Sequence, residues 1–439
     1  MYKKPFALGV ILLFLFSSLI SVSSSYGANE FYSIHIDEDG TLSGYVTDSA
    51  MNPIEGAIIR ASCGENYFEN FSDSSGYYYI DNIPIVFCLW NVSASKTGYK
   101  TIWAEMSIGE NTTYDFVLTS SNNVLYVGGN GPNNYSRIQD AVDNASEGSI
   151  IYVYGGTYYE NIVIVKTIEL VGEDRNTTII DGGNGKDVVK INGVDKVAIS
   201  GFTIQNGGEN KAGVYLYRSA DGVISGNFII DNPYGVYVYK NASTGLSHTT
   251  ITDNIILRSD VFGVWLYKSS HNIIFNNIIS DGEIYGLGLC FWSTDAIVNG
   301  NTISNNKIKG IVGRYVYNNE IYENIIENNG YGIHFMNAVS NNRIHDNHIE
   351  DNIMYGICFE NISTNNMVVH NNFMSNTPRN AFFITPFSNT NKWDNNYWNK
   401  GRIFPYPIFG LIQIGIIQLP WINFDWHPAQ EPFDIPEVI

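Results

Sequence analysis

The chain has 439 residues, 43 Asp and Glu against 24 Lys and Arg, and a formal charge of −19. That balance argues against a nucleic-acid partner, which needs a basic face, and 44% hydrophobic residues exclude a disordered composition. Abundant Ile, Val, Tyr, Phe and Thr favour strands, many Gly and Asn favour tight turns, and the length allows more than one domain.

Met1 to Lys4 is a short basic start, Phe6 to Ile20 is almost wholly apolar, and a small-residue site follows at Gly27-Ala28. This predicts a signal peptide over residues 1–28 and a secreted or cell-surface protein. The apolar run is short for a full span, so membrane contact is expected only through an uncleaved anchor. Asn-x-Ser/Thr acceptor patterns at Asn70, Asn91, Asn111, Asn134, Asn144, Asn176, Asn241 and Asn361 fit a glycosylated, exported chain. Four cysteines are too few for a disulfide framework. Cys63 and Cys88 lie in one small segment and are the pair expected to bridge in an oxidising compartment.

Residues 37–119 read as short strands between turns, a β-sandwich pattern. Gly44 to Asp48 leads to a turn at Asn52-Pro53, Asp73 to Gly76 is a turn before Tyr77 to Ile80, and Gly98-Tyr99 closes the strand Leu89 to Ser95. This order of Gly, Asp, Pro and Gly-Tyr elements resembles the carboxypeptidase regulatory-like domain. The resemblance implies a transthyretin-like accessory sandwich without catalytic residues.

From residue 123 to 398 the pattern changes. Tyr135 to Ala145 predicts an amphipathic helix, with Ile138, Ala141, Val142 and Ala145 on one face and Ser136 as N-cap. Glycines then recur at Gly213, Gly235, Gly263, Gly286, Gly310, Gly332 and Gly356. Asparagines recur in the same units at Asn227, Asn254, Asn277, Asn301, Asn324, Asn347 and Asn372. A shared period of roughly 23 residues predicts one turn of a parallel β-helix per unit. Its Asn side chains are expected to stack as a ladder, and the helix to close the N-terminal end. The Pro- and Trp-rich residues 399–439 are expected to form an irregular cap.

Ser136 to Val142, Gly156-Thr157-Tyr158, Thr178 to Gly182, Ile199 to Ile204 and the two repeats together resemble the right-handed parallel β-helix family named after the periplasmic copper-binding protein NosD. That family sits among the carbohydrate-binding and sugar-hydrolysis β-helices. The resemblance implies an all-β fold but not one chemistry, because such coils serve lyases, hydrolases, esterases and adhesion modules.

If the first and third residues after each Gly point inward, the second and fourth point outward. Tyr215, Tyr237 and Trp265 then form one outward column, and Tyr217, Tyr239 and Tyr267 a second. Such rings suit polysaccharide binding, or simply stabilise the sheet by stacking. Farther along, His334, Met336 and Cys358 form a copper-type ligand set. His345 and His370 are expected to align on adjacent turns. The acids Asp231, Asp253, Asp281, Asp295, Glu320, Glu323, Glu327, Asp346, Glu350, Asp351 and Glu360 show no catalytic pairing, and most fall beside turns. Calcium at a turn remains open. The expectation is a non-catalytic binder of polysaccharide or other envelope components that requires no cofactor. A glycosidic-bond-cleaving enzyme (lyase or hydrolase), a copper-binding accessory protein and a structural surface component are the alternatives.

Overall fold

A computed structural model describes residues 39–48, 51–63, 66–85, 89–119, 124–240, 246–386 and 390–435. The expected signal peptide, Cys88 and Asn241 lie outside them. Cys63 is disulfide-bonded.

The N-terminal part contains two small sheets. Asp39–Asp48 pairs antiparallel with Tyr77–Pro84, and parallel with Thr112–Thr113 and Phe116–Leu118. The other sheet joins Asn66–Phe71, Ile58–Cys63, Trp90–Ser95 and Ile102–Met106, all antiparallel. Alternating residues such as Leu42, Val46, Ile59, Trp90 and Val92 form a core of their own.

The rest is a parallel β-helix whose strands form three long sheets of 12, 11 and 12 strands, here sheets I, II and III. One turn runs Val223–Ser225 in sheet I, Phe228–Ile230 in sheet II and Tyr234–Tyr239 in sheet III. Three-residue strands contribute one inward side chain each, for example Ile224, Ile251, Ile274 and Val298 in sheet I, all fully buried. Six-residue strands in sheet III contribute two, such as Val264 and Leu266. Each such burial contributes roughly 1.5–3 kcal/mol.

The periodic glycines sit where sheet III begins. A Cβ at Gly213, Gly286 or Gly310 would lie 2.9, 2.7 or 2.8 Å from the carbonyl oxygen of the glycine one turn on. Stacked turns leave no room there for a side chain.

The asparagine ladder runs Asn227, Asn254, Asn277, Asn301, Asn324, Asn347, Asn371 and Asn396. Each backbone N–H and side-chain amide donates to the next Oδ1 at 2.9–3.1 Å. The member expected at Asn372 is therefore Asn371. Asn372 instead exchanges two bonds with the Phe433 backbone and pins the C-terminal segment. Two further ladders were not expected. One runs Asn306, Asn329, Asn352 and Asn376, the other Asn319, Asn342, Asn366 and Asn391. Asp425 ends the first ladder. Its buried carboxylate accepts from Asn396 N and Nδ2, Trp398 Nε1 and the backbone N–H groups of Asn395 and His427.

Both ends of the coil depart from expectation. The helix spans Ile138–Asn144, with Arg137 rather than Ser136 at the N-cap position and no side-chain cap from it. The cap is non-local: Glu160, one turn on, accepts from the N–H groups of Ile138 and Gln139 at 2.8 and 3.0 Å. Ile138, Ala141, Val142 and Ala145 do bury into the coil core. The C-terminal piece is regular in its middle, where an irregular cap was expected. Tyr406–Ile414 and Ile417–Asp425 form an antiparallel hairpin that extends sheet III. Alternating Ile, Phe and Leu favour the strands, and Gly415 takes φ +63° at the turn. Pro420 is tolerated because its strand is at the edge.

The small sheets rest against the outer face of sheet I. Tyr67 meets Phe275 at 5.2 Å, and Thr101 Oγ1 donates to Glu169 at 2.8 Å. Burial raises the Glu169 pKa, against the effect of that bond.

Asn301 supplies two acceptor contacts and three donor contacts in the buried ladder. Asn301→Ala orphans several of these groups, so a loss of about 2–4 kcal/mol in denaturant unfolding is expected. The exposed control Asn318→Ala, outside the ladder, should cost less.

Candidate functional site

Sheet III carries the outward columns in the expected register. Tyr215, Tyr237, Trp265, Gly288, Val312, His334, Cys358 and Phe382 are direct neighbours on successive turns. Tyr217, Tyr239, Tyr267, Cys290, Arg314, Met336 and Glu360 form the parallel column.

The six aromatic residues are half-buried and stack on one another. Tyr215 and Tyr237 are 4.6 Å apart with planes at 10°, and Tyr237 and Trp265 4.5 Å apart at 17°. Tyr217, Tyr239 and Tyr267 stack at 5.6 and 5.7 Å. Within the stacks the rings cover one another's faces, so edges and hydroxyls are what a ligand can meet. Burial pushes the Tyr215 and Tyr237 phenols above their ordinary pKa. Tyr234 and Phe262, which precede the periodic glycines, join the stack against Trp265 at 5.2 Å each.

Cations fringe these rings although the chain is acidic overall. Lys190 Nζ lies 5.3 and 5.1 Å from the Tyr215 and Tyr217 centroids. Arg218 lies over Tyr217 at 5.0 Å, and Lys268 over Tyr267 and Trp292 at 5.5 and 5.6 Å. Arg314 continues the fringe over Phe291 and Tyr315. The sequence reading missed this fringe: Lys190 is the neighbour of Tyr215 on the preceding turn, which has no periodic glycine to mark it, and Arg218 and Lys268 directly follow Tyr217 and Tyr267.

Farther along, His334, Cys358 and Glu360 bring one ligand atom each within 4.8 Å of one another. Glu360, which the sequence reading did not place in the ligand set, stands with His334 and Cys358. Met336 is the direct neighbour of Glu360 on the previous turn. Although they occupy outward positions, His334 and Cys358 are 3% and 0% exposed. The Tyr331 ring stacks on His334 at 4.4 Å. His334 Nε2 lies 3.3 Å from Glu360 Oε1, yet neither imidazole nitrogen makes a well-formed hydrogen bond. Burial lowers the His334 pKa, and the His334 imidazole holds Glu360 below the usual carboxylate range. Burial pushes Cys358 well up and Cys290 up to about 11, so neither thiol is an activated nucleophile in this state. Both are free. Buried Lys309 is also electrostatically coupled to this group; desolvation lowers its pKa, and Glu360 and Cys358 oppose that.

Most of the other acids have structural positions. Asp231, Asp253, Glu323, Asp346 and Asp351 each take positive φ immediately before a corner asparagine, Asp281 takes one before Gly282, and Asp295 takes one before Ala296. Asp, like Asn, tolerates that left-handed conformation better than most side chains. His370 takes the same corner position, before Asn371, so it does not align with His345. The neighbour of His345 on the next turn is Val369.

His345 sits on sheet I between two carboxylates, 2.6 Å from Asp346 Oδ2 and 2.9 Å from Glu320 Oε1, and stacks on Tyr322. Burial acts to lower its pKa, but the two carboxylates prevail and raise it.

Of the acceptor asparagines, Asn70, Asn91, Asn111, Asn144, Asn176 and Asn361 are exposed. Asn134 is half-buried and donates to Gly128 O.

This geometry defines a parallel β-helix protein with an aromatic and polar outer face. The model of the family described as periplasmic copper-binding protein (NosD) matches residues 142–292, 173–347 and 292–410, together well over half of the chain. The chain belongs to that family. Among solved structures it is similar to the Dettilon tailspike protein, with 18% identity, TM-score 0.51, and coverage of 63% of this chain and 62% of that one. It is also similar to the A-module of an Azotobacter vinelandii mannuronan C-5 epimerase, with 14% identity, TM-score 0.47, and coverage of 59% and 87%. A pectate lyase matches at 16% identity, TM-score 0.39, and coverage of 62% and 78%. No curated protein matches the chain. No helix among the described residues is long and apolar enough to cross a membrane.

The raised His345 pKa gives a signed pH dependence. Its stabilising effect is fully present below the unfolded-state value of about 6.5 and is lost as pH rises through the folded-state value. His345→Gln should therefore lower the denaturation midpoint more at about pH 5.5 than at about pH 8.5, relative to the parent protein. An equal loss at both would contradict the assignment.

Proposed function

We propose that this is an exported, non-catalytic protein of the cell surface or envelope that holds polysaccharide on the outer face of sheet III. The carrying observation is the rigid strip of stacked rings from three successive turns, fringed by Lys190, Arg218 and Lys268. Ring edges, phenol hydroxyls and cations favour sugars that carry carboxylate or sulfate groups. The N-terminal sheets make their ring and hydrogen-bond contacts at Tyr67–Phe275 and Thr101–Glu169 with sheet I instead. In this reading residues 37–119 are a transthyretin-like accessory sandwich of the carboxypeptidase regulatory-like type, with a Cys63–Cys88 bridge. The acceptor asparagines carry glycans.

Lys190→Ala with Lys268→Ala should weaken retention on an acidic polysaccharide gel about tenfold and leave the melting temperature unchanged. Trp265→Ala with Tyr237→Ala should abolish retention on polysaccharide gels. Retention of the parent chain on none of a panel of acidic and neutral polysaccharides would reject the reading.

A second reading has its own observation: a buried imidazole with no well-formed hydrogen bond faces a thiol and a carboxylate. Imidazole nitrogen and thiolate sulfur together suit copper or zinc, so His334, Cys358 and Glu360 fit a transition-metal ion. When bound, such an ion would draw the proton from Cys358. Equilibrium dialysis against copper should show about one bound equivalent that His334→Ala removes and Met336→Leu preserves. Loss on Met336→Leu would restore methionine to the ligand set.

A further inference from the structure

The rings of the two outward columns cover one another, but the corner beyond them carries a ring that is left open. Trp292 follows the sheet III strand Tyr285–Cys290. It is 50% exposed and stacks on no other ring among the described residues. The aromatic contacts of this corner pass instead through Phe291, which meets Tyr267 at 5.2 Å and Tyr315 at 5.5 Å. The backbone here is unusual too. Phe291 and Trp292 take φ +53° and +68°, two left-handed residues in succession. At the corresponding place two turns on, beyond the strand Tyr331–Met336, Asn337 and Ala338 do the same with φ +61° and +62°. An asparagine and an alanine therefore suffice for such a corner. A bulky indole is a costly choice in the left-handed region, and residues held there gather at ligand sites. The Trp292 N–H donates to the Tyr315 carbonyl at 2.8 Å, so the next turn fixes the conformation.

Charge singles out the same corner. Elsewhere on the coil Arg258, Lys307 and Arg343 are paired with Asp231, Glu283 and Glu320. Lys268, one turn before Trp292, and Arg314, one turn after it, form no ion pair among the described residues. Their cationic groups lie against rings instead. Lys268 Nζ is 5.6 Å from the Trp292 centroid, and the Arg314 guanidinium is 5.5 Å from that of Phe291. Two turns separate the cations, about 10 Å along the coil. In a chain of formal charge −19, two unpaired cations that bracket an open indole favour an anion at that spot.

We infer that Trp292, Lys268 and Arg314 form an anchoring subsite for one uronic acid unit of a polysaccharide. The inference rests on the proposed polysaccharide binding along sheet III, and it names the sugar class and the open ring face that the stacked columns lack. The C–H groups of a pyranose pack on the indole. The carboxylate of a uronate is bonded directly to a ring carbon, so it projects from the edge of the stacked sugar at a fixed short distance. That edge meets the flanking cations, and the planar fork of Arg314 matches a carboxylate. A neutral sugar would gain the ring contact alone.

Isothermal titration calorimetry of the full chain with hexamers of galacturonate, mannuronate and guluronate, and with their methyl esters, tests this. The parent should bind at least one acidic hexamer, and the matching ester more weakly. Trp292→Asn should bind that hexamer at least about tenfold more weakly. It should also melt no lower than the parent, because asparagine tolerates the left-handed corner. A ring that only covers the corner would behave in the opposite way, so either unchanged binding or a lower melting temperature in Trp292→Asn overturns the subsite. Lys268→Gln with Arg314→Gln should reduce the acidic hexamer to the affinity of its ester and leave the ester unchanged. Equal losses for both ligands would overturn the assignment of the carboxylate. Binding of dextran sulfate but of none of the hexamers overturns the subsite while polysaccharide binding itself stands. Unchanged binding in Trp292→Asn, with retention abolished by Trp265→Ala and Tyr237→Ala, likewise removes the subsite alone. A parent that binds no polysaccharide rejects both readings.

Discussion

The spacing between stacked turns is the constraint on which the rest of this molecule depends. Parallel strands can hydrogen-bond only about 4.8 Å apart, so whatever occupies one turn must tolerate its copy directly above. Where sheet III begins, the backbone approaches so closely that Gly213, Gly286 and Gly310 have no space for a Cβ. At the corners, three asparagine ladders satisfy the buried backbone groups that a bend would otherwise orphan. An amide suits this task because it donates and accepts at once, so identical residues bond in series.

The same repetition explains why composition is a poor guide to chemistry here. Acids that a catalytic search would gather, such as Asp253, Asp281 and Asp346, take left-handed corner conformations before ladder asparagines or their equivalents. Aromatic columns that suggest open sugar platforms stack face to face because each ring has a ring above it. What departs from the repeat is therefore more informative. Gly288 interrupts the aromatic column, and Lys309, His334, Cys358 and Glu360 replace the aromatic pattern beyond it. Sheet III is also the sheet with the longer strands, six residues in most turns against three in the others.

Much of the architecture was legible. Glycine and asparagine periods revealed the coil, and alternation predicted the outward columns correctly, because inward and outward positions have opposite solvation. The missed features are those without a local signature. Helix capping came from Glu160 on another turn, not from Ser136. The ladder took Asn371 rather than its neighbour Asn372, a choice made by the corner and not by residue type. Glu360 was not among the expected ligands, yet it stands with His334 and Cys358. The cationic fringe was missed although it keeps the period, since Lys190 is the neighbour of Tyr215 one turn back and Arg218 and Lys268 directly follow Tyr217 and Tyr267; that the cations lie over the rings is decided by side-chain packing.

By itself the sequence determined the coil, its period, its inward and outward faces and the separateness of the N-terminal segment. Those follow from repetition and from the solvation of side chains, which act at every turn alike. Tertiary structure decided burial and company: that His334 and Cys358 are covered despite pointing outward, that the small sheets contact sheet I, and that the C-terminal strands form a hairpin with core residues left bare. These depend on which side chains from distant turns meet, and at the ends of the coil the repeat no longer dictates the neighbour.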